Sequence, residues 1–213
     1  MKKVLKFKVS IEGLEDKIYR IIEINDAKTI ADLAYSILAS FNSLAYHLYK
    51  IEYHDNIYYC SDEFEELDDL KNYKIASKEK LYKIDFNKND TMIMEYDFGS
   101  PTTFIIKYLS TDDLTIAPSK YPRIIDGKGN GMLDDINSNE LLEIVKNTDK
   151  LGSSTYYYTP GYELDKIYDY RDYDYDESVK EFSANYLTIK YGYEKMSIKI
   201  NVNYWHKQIF VIL

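Results

Sequence analysis

The sequence predicts an α+β fold built on a mixed β-sheet, with a β-grasp-like start and two packed helices. Three observations predict it. Two period-two runs flank an acidic glycine turn within residues 3–24, a helix-period apolar stripe follows over 29–41, and strand-like runs resume directly after it. Hairpin, helix and strands in that order match a β-grasp unit.

Residues 3–11 (Lys-Val-Leu-Lys-Phe-Lys-Val-Ser-Ile) alternate with period two. Residues 17–24 (Lys-Ile-Tyr-Arg-Ile-Ile-Glu-Ile) are strand-like again after the turn at Gly13, which predicts a β-hairpin. Ile30, Leu33, Ala34, Ile37, Leu38 and Phe41 then fall at helical spacing, with Asp26 or Thr29 as the cap. Residues 47–53 and 56–60 predict two strands joined at His54-Asp55. Residues 61–80 run from acidic to basic with few apolar positions, so a surface excursion is expected there. A second hairpin is predicted by 92–98, the turn Gly99-Ser100-Pro101, and 103–109. Pro118, Pro122, Gly127, Gly129 and Gly131 mark a loop. Ser138 then caps a second helix over 138–147, whose apolar face is Leu141, Leu142 and Val145. Beyond Leu151 the chain is rich in tyrosine and aspartate, and alternating runs at 185–191 and 196–213 predict extra C-terminal strands. The expected division is an α+β domain over 1–147 and a strand extension or small subdomain over 148–213.

The chain has 213 residues, and 36 acidic against 27 basic side chains give a formal charge of −9. With 30% of residues charged, no stretch approaches the ~20 apolar residues that span a bilayer, so no membrane partner is expected. The charged start Met1-Lys2-Lys3 has no signal-peptide pattern. One cysteine, Cys60, makes no internal disulfide, and with three histidines it builds a zinc site only if carboxylates complete it. The expected compartment is the reducing cytoplasm. Only Arg20, Arg123 and Arg171 are arginine, the side chain that reads phosphate and base edges. An acidic body without a compact basic patch beyond residues 2–8 repels a duplex, which disfavours nucleic acid as a partner. The 24 tyrosines are accounted for by an AT-rich coding bias.

Motifs with a chemical meaning are scarce. Asp97-Phe98-Gly99 spells the magnesium-holding tripeptide of protein kinases, but the glycine-rich loop, strand lysine and catalytic-loop aspartate are missing. It reads as a strand end turning at a glycine. Residues 126–137 superpose on a calcium-binding EF-hand loop, yet Lys128 and Asn137 occupy two ligand positions and remove most of the charge such a site needs. A flexible glycine loop is expected instead. His47, His54 and His206 lack metal-ligand spacing. His47, at a strand start, reads as a hydrogen-bonded, partly buried imidazole. No serine sits in a nucleophile elbow, and Cys60 has no basic partner to activate it. The acidic tyrosine run 168–176 reads as a solvated linker or edge strand. No catalytic residue, cofactor or metal is therefore assigned.

Five blocks occur in register. They are Ile18-Tyr19-Arg20-Ile21-Ile22-Glu23-Ile24, Thr29-Ile30-Ala31-Asp32-Leu33, His47-Leu48-Tyr49, Glu95-Tyr96-Asp97-Phe98-Gly99, and Tyr121-Pro122-Arg123 with Gly127 and Gly129. In order and spacing they resemble the plasmid pRiA4b ORF-3-like family over residues 3–147. Relatives usually carry tryptophan before the arginine, histidine at the end of the helix block, and Asp, Trp and His after the YDFG block. Here Tyr19, Tyr35 and the run Ser100-Pro101-Thr102-Thr103 stand in those places. The resemblance implies an α+β domain with a mixed sheet and hands over no activity.

The function expected is a cytoplasmic binding or protein-interaction module without catalysis, its partner an unknown protein or small molecule. The rival, a mobile-element nucleic-acid-processing enzyme, rests on the resolvase label of some relatives. Candidate partner-site residues are Arg20, His47, Tyr96, Asp97, Tyr121 and Arg123. Arg20 sits mid-strand among apolar neighbours, so it is expected to pair with a carboxylate, Asp97 first and Glu95 or Asp32 next.

Overall fold

The computed structural model describes residues 3–61, 72–158 and 166–200, with the side chains of 196–200 excepted. An eight-stranded mixed sheet runs in the order β5-β4-β3-β6-β7-β1-β2-β8. The strands are β1 (Lys3–Ile11), β2 (Tyr19–Asn25), β3 (Tyr49–Tyr53), β4 (Asn56–Tyr59), β5 (Tyr73–Ile75), β6 (Thr91–Tyr96), β7 (Thr102–Asp113) and β8 (Arg123–Lys128). All pairings are antiparallel except β4 with β5. A β-grasp order would set the strand after the helix beside β1. Here the β6–β7 hairpin stands between β3 and β1.

Period two decides the face. Phe7, Val9 and Ile11 on β1, Ile22 and Ile24 on β2, Met92, Met94 and Tyr96 on β6, and Phe104 and Ile106 on β7 are buried in one core. Against that core lies helix α1 (Ile30–Ser40), opened by a capping box between Thr29 and Asp32. All eleven of its residues are buried. A helix enclosed on every side needs cover beyond the sheet, and the C-terminal helix α3 (Tyr175–Ile200) supplies it.

That helix corrects the expectation of strands at 185–191 and, as far as residue 200, at 196–213. Phe182, Tyr186, Ile189 and Tyr193 are the buried positions, at helical spacing, and the alternation seen in Tyr186-Leu187-Thr188-Ile189 spans too few residues to oppose it. Residues 201–213 lie outside the described residues. Ahead of α3, β9 (Tyr157–Tyr158) and β10 (Lys166–Ile167) pair in a separate two-stranded sheet.

Two further expectations change. The predicted surface excursion over 61–80 falls partly outside the described residues, at 62–71. Its later part is structural: β5 extends the sheet, Ala76 is fully buried, and the Ala76 carbonyl accepts from the amide of Ala31 at 3.1 Å. The predicted glycine loop contains an edge strand, since β8 pairs with β2. This also dissolves the EF-hand pattern, whose first three positions, 126–128, belong to that strand. Gly131 has a different reason for being glycine: a Cβ there would stand 2.1 Å from the Phe41 carbonyl oxygen. The second helix, α2 (Ser138–Leu151), is capped one residue earlier than expected, by Asn137 in a capping box with Glu140. Ser138 instead accepts the Thr103 amide on its Oγ at 2.8 Å. No helix of the described residues is long and apolar enough to cross a membrane.

Candidate functional site

The chain leaving α1 passes from Phe41 to Leu48 without regular structure and twice enters the left-handed region, at Asn42 (φ 57°) and Ala45 (φ 56°). Such a path holds only if other groups fix it. Asp134 fixes this one. Its carboxylate accepts from Ser43 Oγ at 2.7 Å, the Leu44 amide at 2.9 Å and the Tyr96 hydroxyl at 3.1 Å. Burial raises the Asp134 carboxyl above the usual aspartate value, because these neutral donors offset only part of the lost hydration.

Asp135 is itself left-handed (φ 63°). Its Oδ2 accepts from the Tyr46 hydroxyl at 2.5 Å, and its Oδ1 lies 2.8 Å from His47 Nε2. The Tyr46 hydrogen bond, followed by that of His47, holds the Asp135 carboxyl below its ordinary value. Asp97 directly follows β6, also left-handed (φ 65°), and its amide donates to the Leu48 carbonyl at 3.0 Å. Its Oδ1 accepts the Gly99 amide at 3.0 Å and stands 3.6 Å from His47 Nδ1. Aspartate is among the few non-glycine residues that adopt this backbone cheaply.

His47 is thus flanked by one carboxylate at each ring nitrogen. The ring packs edge-on to Tyr96, with centroids 5.6 Å apart, and tilts against Tyr46 at 4.3 Å. Its backbone carbonyl accepts from the Tyr193 hydroxyl of α3. One donor atom from each of His47, Asp97 and Asp135 can be chosen so that all lie within 4.8 Å of one another, close enough to hold a metal ion. The His47 side chain is 22% exposed, that of Asp97 11% and that of Asp135 65%, so the cluster is walled on one side and open on the other. Among the described residues no lysine or arginine pairs with Asp97, Asp134 or Asp135.

Of the six candidate residues, the fold brings together His47, Tyr96 and Asp97. Tyr121 and Arg123 lie elsewhere. Arg123 Nε and Nη2 both reach Glu23 Oε2, at 2.8 and 2.6 Å, and its guanidinium lies 5.4 Å from the ring centre of Tyr121.

Arg20 overturns the expectation made for it. Its side chain is fully buried, yet among the described residues no carboxylate pairs with it. Nε donates to the Ser40 carbonyl at 2.8 Å, and Nη1 to the carbonyls of Tyr19 and Lys128 at 2.8 and 3.0 Å. The guanidinium lies 3.9 Å from the ring centre of Tyr173 and 4.9 Å from that of Phe41. Burial lowers its pKa to about 10, with charge kept at neutral pH. Carbonyl dipoles and ring faces meet most of this weakly hydrated, planar cation, while its Nη2 is buried without a hydrogen-bond partner among the described residues.

Sequence reasoning missed Tyr46, Asp134 and Asp135 as site residues. The available signal was the acidic pair just before a helix start, but its partners are 38 to 91 positions away. His54, whose Nε2 is 4.0 Å from Asp90 Oδ2, lies apart from the cluster, and His206 falls outside the described residues.

A sequence model of the plasmid pRiA4b ORF-3-like protein family matches residues 3–178. Among solved structures, the chain is similar to a protein of unknown function, MM3350, from Methanosarcina mazei Go1. The two share 20% identity at a TM-score of 0.62, over 84% of this chain and 97% of that one. That likeness concerns the fold. No curated protein matches the chain.

Proposed function

The chain belongs to the plasmid pRiA4b ORF-3-like family, and from that premise we propose that it is a binding or protein-interaction module that takes a positively charged group at the His47, Asp97 and Asp135 cluster. The observation that carries this reading is the local charge imbalance. Two carboxylates flank one imidazole and a third, Asp134, is next to Asp135 in the chain, with no lysine or arginine paired to them among the described residues. A cationic group arriving there meets uncompensated negative charge, some of it held away from bulk water, where attraction is screened less. Loops on a rigid sheet are also where binding residues concentrate. The cluster offers acceptors and ligands rather than an activated nucleophile. The lone cysteine, Cys60, is buried, in keeping with a reducing compartment and with no catalytic part.

The test is capture from extract of the source cells by immobilised protein, wild type against Asp97→Asn and Asp135→Asn. A partner retained by the wild type and lost from both variants, with circular dichroism unchanged, supports the reading. Equal retention by all three would overturn it, as would a turnover abolished by a single side-chain change in the cluster.

A further inference from the structure

Resting on that reading and naming the charged group, we infer that His47, Asp97 and Asp135 form a site for one divalent transition-metal ion. The donors come from three separate places in the chain: the loop before β3, the end of β6, and the loop before α2. Their spacing lets one donor atom from each reach a single ion. With metal–ligand bonds of ~2.1 Å, neighbouring corners of an octahedron lie about 3.0 Å apart and opposite corners about 4.2 Å. The His47 Nε2 to Asp135 Oδ1 separation of 2.8 Å fits a neighbouring edge, and the outer limit of 4.8 Å for the three donors needs only a small contraction.

The donor set chooses the ion class. An imidazole nitrogen suits zinc, iron, nickel or copper, and carboxylates extend that range toward manganese. Calcium wants six to eight oxygens and finds two carboxylates here, one of them most of the way out in solvent. The exposed side of Asp135 leaves room for water to complete the coordination shell. Around the donors, Tyr46 holds the second oxygen of Asp135, and the Gly99 amide holds Asp97. Outer groups of this kind orient ligands in metal sites. Asparagine tolerates the left-handed backbone at 97 and 135, so the ligands can be removed without disturbing the turn.

Full-length protein stripped with a chelator is titrated with zinc chloride and manganese chloride by calorimetry, and thermal melting is followed alongside. The expected result is saturable binding of one equivalent of at least one of the two ions. The melting temperature should rise with occupancy, and affinity should fall at least tenfold in His47→Asn and in Asp135→Asn. Absence of saturable heat with both ions would overturn the inference, and so would binding that survives both substitutions at wild-type strength. Asp135 is exposed, so that variant keeps the test decisive if His47→Asn does not fold. Loss of metal binding with site-dependent partner capture intact removes the metal and leaves the binding module. Loss of both removes both.

Discussion

Arg20 and the Asp97 cluster were expected to pair with each other, and each is instead held by other groups. The cation is enclosed, met by three carbonyl oxygens and two aromatic rings without a carboxylate. The carboxylates sit on loops, met by hydroxyls, amides and one imidazole without a paired cation among the described residues. The difference separates two uses of charge. Arg20 ties β2 to the end of α1 and to β8, so its interactions are spent on the fold. Asp97 and Asp135 flank His47 on loops, with Asp135 65% exposed, so under the proposed reading their charge is what a ligand would meet.

The largest effect expected from this contrast is that of Arg20→Ala. It strands the three carbonyls and empties the space between Tyr173 and Phe41, and should cost about 2 to 5 kcal/mol by urea denaturation, as unsatisfied buried acceptors and a large-to-small cavity do. A cost near zero would break the contrast. Next comes Asp32→Asn. The Asp32 carboxylate accepts the amide of the cap residue Thr29 and also accepts from Tyr186 at 2.7 Å and Lys190 at 2.6 Å, so it bridges α1 to α3. Because the Lys190 side chain is still 28% exposed, the expected loss is smaller, about 2 kcal/mol.

The same residue supplies a pH test. Burial acts to raise the Asp32 carboxyl, but hydrogen bonds from Lys190, Tyr186 and Thr29 outweigh it and hold the carboxyl below its ordinary value. A depressed folded value means the stabilisation is fully present above the unfolded aspartate pKa of ~3.9, and is lost as pH falls through the folded value. The gap in melting temperature between wild type and Asp32→Asn should therefore stay constant from pH 7 to about 5 and close in stronger acid. A gap that widens in acid would reverse the sign argued here.

At the other end of the scale, Asp97→Asn should change stability by less than about 0.5 kcal/mol, since the left-handed turn accepts asparagine. It should nonetheless abolish partner capture; a stability loss without a binding defect would move Asp97 into the same class as Arg20. The smallest effect is that of calcium: millimolar calcium should leave the melting temperature unchanged. A site half-filled at that concentration would add about 0.4 kcal/mol, and a tighter one more. A rise of several degrees would remove the distinction between hard and borderline ions.

How much of this was legible in the sequence follows from the range of each signal. The hairpin of β1 and β2, helix α1 and the β6–β7 hairpin are written in local periods that burial obeys, so they could be read directly. Helix α3 could not, because its Tyr186, Tyr191 and Tyr193 favour strands and its stripe only makes sense against Tyr35 and Tyr49, with which Tyr193 packs. In the site, Tyr96 and Asp97 were marked by their place at a strand end, whereas Asp135 carries only the weak mark of an acidic pair ahead of a helix. The mid-strand Arg20 was rightly expected to be expensive. The error lay in limiting its partners to carboxylates, when Phe41 and Tyr173 were 21 and 153 residues away and invisible to spacing.

The hydrogen bond from Tyr193 to the carbonyl of His47 spans 146 positions, and that span orders assembly in time. Chains are made from the N-terminus, and folding follows emergence. The loop carrying His47 is made early, the β1–β7 pairing at the middle of the sheet waits for residue 113, and the brace from α3 comes later still. A nascent chain can therefore hold the sheet before the His47 loop is braced, and that loop reaches its final support only when the C-terminal helix has docked.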